Sequence, residues 1–75
     1  MDYDTGLFID ILESIQGVTF LRSECEDGIH IRHYQGLNGK HVMIDTTDEF
    51  ITSITGKGHL LKLGLENLIP SIFPE

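Results

Sequence analysis

The chain has 75 residues, a formal net charge of −7 and a single cysteine. One short domain, residues 1–75, is the expected organisation, with no internal disulfide and no apolar run near the ~20 residues of a membrane-spanning helix. Twelve acidic against five basic residues disfavour nucleic acid and anionic lipid as partners, because those ligands are held mainly by Lys and Arg neutralising phosphates.

The acidic start Met1-Asp2-Tyr3-Asp4 is unlike the basic start of a signal peptide, so a cytoplasmic protein with a free thiol is expected. The charge is uneven: residues 1–28 hold seven acids against Arg22 alone, and residues 29–75 hold five acids, four bases and all four histidines. An acidic flank of this kind suits a basic protein partner.

Phe8, Ile11, Leu12 and Ile15 recur at helical spacing and predict a first helix over residues 5–16. Asp4 or Thr5 can cap its start, Gly17 suits the turn beyond its end, and Asp10 and Glu13 are expected in water. Val18–Arg22 reads as a strand. Asp27-Gly28 and Asn38-Gly39 are both favoured hairpin turns. They bracket a second strand, Ile29–Tyr34, and precede a third, Lys40–Asp45.

If Asn38 and Gly39 are the two loop residues, Tyr34 faces Met43, His33 faces Ile44 and Arg32 faces Asp45. Alternation then sends Ile29, Ile31, Val42 and Ile44 to one apolar face, and His30, Arg32, Tyr34, His41, Met43 and Asp45 to the other. A three-stranded antiparallel meander with one buried face is expected.

Thr46-x-x-Glu49 has the pattern of a capping box and predicts a short helix carrying Phe50, Ile51 and Ile54, ending at Gly56-Lys57-Gly58. A further helix over residues 59–68 carries Leu61, Leu65 and Leu68, with Leu60 and Leu63 beside them; Gly64 within it costs about 1 kcal/mol relative to Ala. Pro70 and Pro74 oppose a regular helical tail. The apolar tail, Leu68 to Pro74, either folds back over the core or docks on a second subunit as a homodimer contact; folding back is the expected course. The resulting fold class is α+β, in the order α-β-β-β-α-α, with helices on one face of the sheet.

Candidate chemistry is sparse. His30 and His33 point to opposite strand faces, and the register above sets His41 ~20 Å along from His30. A shared metal is therefore not expected, nor any cofactor. His33 is expected as a hydrogen-bonded histidine at the core margin. Cys25 lies among Glu24, Glu26 and Asp27, a setting that disfavours nucleophilic sulfur. Thr55-Gly56-Lys57-Gly58-His59 lacks Walker A spacing; an interhelix connector is the expectation, an anion cradle the alternative. The open sheet face, with Arg32, Tyr34, His41 and Met43, is the expected binding surface, because it mixes polar handles with flat apolar area. Arg32 and Asp45 are expected to pair there.

The element order and Asp27-Gly28-Ile29-His30-Ile31-Arg32 resemble the HicA family of small toxins from bacterial toxin–antitoxin systems. The resemblance spans roughly residues 7–68. It implies a double-stranded-RNA-binding-domain-like α-β-β-β-α fold and mRNA cleavage, with His30 at the position of the family's catalytic histidine. Arg32, Lys40 or Lys57 would then lie near the phosphates. The chain departs from that pattern in being acidic, in carrying Gly28-Ile29 where the family has Gly-Ser, and in its extra segment around residues 46–57. Two functions follow as expectations: a non-enzymatic protein-interaction module using the open sheet face or the apolar tail, and, as the alternative, a HicA-like ribonuclease or a degenerate relative.

Overall fold

The computed structural model describes residues 2–72. Its elements are β1 (Asp2–Asp4), α1 (Thr5–Glu13), β2 (Thr19–Glu26), β3 (Ile29–Gln35), β4 (His41–Asp45), β5 (Phe50–Thr52), α2 (Ser53–Lys62), a 3-10 turn over Glu66–Leu68, and α3 (Ile69–Ile72). The fold is α+β, built on a three-stranded antiparallel sheet ordered β2-β3-β4. A second ribbon pairs β1 with β5, antiparallel. No helix among the described residues is long and apolar enough to cross a membrane.

The first helix starts where its cap is: the Asp4 carboxylate accepts from the Leu7 N–H at 2.9 Å, satisfying one of the free donors of the first turn. Phe8 and Leu12 point into the core, where they meet Tyr34, Val42, Ile44, Ile51, Leu60, Leu63 and Leu65. Ile15 packs on the margin of this cluster.

The two hairpins turn differently. Asp27 and Gly28 both have positive φ (54° and 79°), as a two-residue type I′ turn demands. In the second hairpin only Gly39 has positive φ (77°). Gly36 donates to Lys40 O and Gly39 donates back to Gly36 O, each at 3.0 Å. The loop is therefore Leu37-Asn38-Gly39, three residues with glycine in the left-handed position.

That extra residue slips the expected register by one. Tyr34 stands opposite Val42, His33 opposite Met43, Arg32 opposite Ile44 and Ile31 opposite Asp45. Since strand side chains alternate, β3 is turned over relative to expectation. Tyr34 and Arg32 join Val42 and Ile44 on the helix-covered side, and Ile29 and Ile31 move to the open side. The Arg32–Asp45 pair does not form. The N–H of Leu37 bonds Leu63 O at 2.9 Å and Asn38 Nδ2 bonds Lys62 O at 2.7 Å, so the end of α2 holds the loop in this longer form.

The capping-box helix does not form either. Thr46 spends its N–H and hydroxyl on His30 O, and the chain from Phe50 to Thr52 becomes β5. Thr5 anchors this ribbon, donating its N–H to Glu49 O and its hydroxyl to Asp48 O. Gly56-Lys57-Gly58 lies inside α2, so it is neither a connector nor a helix N-terminus able to cradle an anion.

The helix ends at Gly64 (φ 79°), where Gly64 N–H bonds Leu61 O and Leu65 N–H bonds Leu60 O, the two bonds of a Schellman cap. This stop, rather than a helix through residue 68, buries Leu60, Leu63 and Leu65 and leaves Leu61 exposed. Pro70 is accommodated in the first turn of α3. Leu68 and Ile69 fold back against the core; Phe73 and Pro74 lie outside the described residues.

Candidate functional site

The register divides the four expected binding residues between two surfaces. Arg32 and Tyr34 lie between sheet and α1. Tyr34 is fully buried, and its hydroxyl donates to Glu13 Oε2 at 2.5 Å. Arg32 donates through Nη2 to the same oxygen at 2.8 Å and through Nε to the Tyr34 hydroxyl at 2.8 Å. Its guanidinium sits 4.3 Å from the centre of the Phe20 ring. Burial, reinforced by the Glu13 hydrogen bond, pushes the Tyr34 phenol up to about 12. The Tyr34 hydroxyl raises the Arg32 pKa further, so its charge is permanent. This cluster satisfies its own polar groups and ties helix to sheet. Glu13, expected in water, is its hub.

His41 and Met43 remain on the open face, now beside Ile29, Ile31, His33 and Gln35 of β3 and Arg22, Glu24 and Glu26 of β2. A bulge between Phe20 and Arg22 keeps the three β2 charges on this side. Ile29 and Met43 are 49% and 57% exposed. Glu24, Glu26 and Asp27 line a shallow depression of about 220 Å³ with Ile29 and Ile31. Arg22 is the cation of β2, and its Nε is paired to Glu24 Oε1 at 3.2 Å. The face is apolar in its middle and acidic at its rim.

His33 is 2% exposed on this face. Its Nδ1 lies 2.8 Å from His41 Nε2, and the two rings overlap at 5.0 Å between centres. Its Nε2 is shielded from solvent, and the carboxylate oxygen it faces, Glu24 Oε2 at 3.2 Å, lies off the hydrogen-bond axis. Which ring donates in the His33–His41 contact is set by the tautomers of the two imidazoles. Contact with His33 is the largest influence holding Glu24 below the usual carboxylate range. The slip of one residue sets His41 opposite Gln35 and turns its ring to the same face as His33, which brings the two histidines together. No group of three or more metal-ligating side chains forms among the described residues.

His30 is exposed at the start of β3 on the other side of the sheet. Its Nε2 is 3.8 Å from Cys25 Sγ, and both border a polar depression with Ser23, Arg32 and Thr46. Asp45, beyond it, is held below its ordinary carboxyl value by the Thr47 hydroxyl and then by the Thr47 N–H.

Sequence reasoning places Ile29 on the buried face, because it continues an apolar alternation that reads as core, whereas the structure leaves it half-exposed. The detectable signal was the run of acids flanking it, Glu24, Glu26 and Asp27. Comparison with protein-family models, with curated proteins and with solved structures finds no match.

Proposed function

We propose that the chain is a protein-interaction module that binds a basic, partly apolar partner through the open face of the β2-β3-β4 sheet. The observation that carries this reading is the juxtaposition of half-exposed Ile29 with the acids Glu24, Glu26 and Asp27, with half-exposed Met43 farther along the same face opposite His33. Burying the two apolar side chains supplies hydrophobic free energy, on the order of 1–2 kcal/mol each, and the acidic rim selects the partner's sign of charge. The same rim repels phosphates, which weighs against RNA on this face.

The test is affinity purification from the native host with the wild-type chain, with Ile29→Glu/Met43→Glu, and with Leu61→Glu on exposed α2 surface as a control. A protein retained by wild type and by the control, lost with the double variant and weakened by salt, supports the reading. Equal retention by the double variant sinks it.

A second reading is a HicA-like ribonuclease with His30 as catalytic residue. What supports it is the succession α1-β2-β3-β4, with α2 following after the short strand β5, which contains the order the resemblance implies, and the exposure of His30 in a polar depression beside Arg32. His30 there has the access a general acid or base needs. RNA cleavage at low salt that disappears in His30→Ala favours this reading; intact RNA at micromolar protein rejects it.

A further inference from the structure

We propose that the partner is captured as an added β-strand on the free edge of β2, by an extended segment carrying Lys or Arg at alternate positions. The inference rests on the open-face reading above and specifies how that face is extended.

Among the described residues β2 pairs with β3 alone, and all eight of its residues are exposed. The direction of its main-chain groups follows from β3. His30 turns its N–H to Thr47 Oγ1 at 2.9 Å and its carbonyl to Thr46 N–H at 2.8 Å, both on the β4 side. His30 and its partner Cys25 therefore form a position where neither residue bonds the other. The N–H and C=O of Cys25 must then point away from β3, off the free edge. Alternation places those of Ser23 there too, opposite Arg32.

Two residues thus offer two donors and two acceptors in line, the template that strand addition uses. Side-chain alternation supplies the selectivity. Glu24 and Glu26 project onto the open face, while Ser23 and Cys25, small and uncharged, project onto the other. On the open face an incoming strand meets Glu24 and Glu26, with Arg22 beyond them paired to Glu24, so its residues opposite the two carboxylates are cations and those between them are small. Cross-strand opposite charges stabilise such a pairing and like charges oppose it. A second copy of the chain brings its own net charge of −7 to the same edge, which favours a basic segment over self-pairing.

The probe is a capped eight-residue peptide of alternating Lys and Val, with two controls: alternating Glu and Val, and the Lys–Val peptide N-methylated on alternate amides. Binding is read by fluorescence polarisation at low salt, and backbone engagement by amide exchange of the protein. Proline at an edge position whose N–H faces outward leaves the β2–β3 ladder intact, so Cys25→Pro and Ser23→Pro remove one edge donor each. The expected result is binding of the Lys–Val peptide alone, slowed exchange at Ser23 and Cys25, and a loss of about tenfold or more in either proline variant.

If Cys25→Pro fails to fold by circular dichroism, Ser23→Pro and the N-methylated peptide decide the matter. Unchanged affinity in the proline variants with loss in Ile29→Glu/Met43→Glu overturns strand addition and leaves open-face binding standing. No binding of the Lys–Val peptide, or exchange slowed only elsewhere, also overturns it. Self-association of the wild type that either proline abolishes overturns the basic occupant in favour of a second copy.

Discussion

Tyr34 donates its phenolic proton to Glu13 Oε2 at 2.5 Å, joining the middle strand to the end of the first helix across 21 residues of sequence. Arg32 completes the triangle from the same face of β3, 2.8 Å from each partner. Because Tyr34 is fully buried, its hydroxyl has no water to turn to if the carboxylate is removed.

Glu13→Ala is expected to destabilise the fold by about 1–3 kcal/mol, the range for losing hydrogen bonds to a charged group. For a domain this small that is a fall of roughly 6–20 °C in melting temperature. Glu13→Gln, which keeps an acceptor, costs less. In a double-mutant cycle, Tyr34→Phe and Glu13→Ala are expected to couple by about 1 kcal/mol; strictly additive effects by chemical denaturation would deny the bond an energetic role.

The elevated Tyr34 phenol makes stability fall on the alkaline side. The folded state holds the proton up to about 12, whereas an unfolded tyrosine releases it near ~10. The contribution is therefore full below pH ~10 and is lost as pH rises from there through the folded value. Near-ultraviolet absorbance should show one tyrosine ionising late, and Tyr34→Phe should remove that phase.

His59 acts in the opposite direction. Burial first, and then Lys62, lowers its pKa from the ordinary 6.5, and its Nδ1 is buried without a hydrogen-bond partner among the described residues. The neutral ring is favoured in the folded state, so the contribution is present above pH ~6.5 and is lost as pH falls through the lower folded value. Imidazole NMR should titrate His59 below 6.5, and His59→Gln should flatten the loss of stability on mild acidification.

Gly36 sits against the end of α2. A Cβ there would fall 2.5 Å from Leu63 Cα, 2.7 Å from Leu63 C and closer still to Leu63 O, backbone atoms with no side-chain freedom to yield. Gly36→Ala is expected to cost about 1–3 kcal/mol or more through overpacking. Gly39→Ala, at positive φ with open space around it, should cost only the backbone strain of about 1–2 kcal/mol. Denaturation midpoints should rank the two in that order.

Local chemistry alone determined a good part of this molecule. The helical spacing of Phe8 and Leu12, the Asp4 cap, the Asp27-Gly28 turn and the inward Val42 and Ile44 follow from bonds and burial within a few residues. The facing of β3 did not. Leu37-Asn38-Gly39 and Asn38-Gly39 are both acceptable loops, and their difference of one residue decides whether Ile31 or Arg32 turns inward.

Tertiary contacts made that choice. The carbonyls of Lys62 and Leu63, more than twenty residues away, bond Asn38 and Leu37 and hold the longer loop, while Glu13 supplies the charge that lets Arg32 and Tyr34 lie under a helix. The acidic open face and the His33–His41 contact are consequences of the same slip. So is the β1–β5 ribbon a long-range outcome: Thr5 bonds residues 48 and 49, and Thr46 turns to His30, so the capping residue is spent before a helix begins. Where two local conformations are nearly equal in energy, a few hydrogen bonds from distant elements select between them.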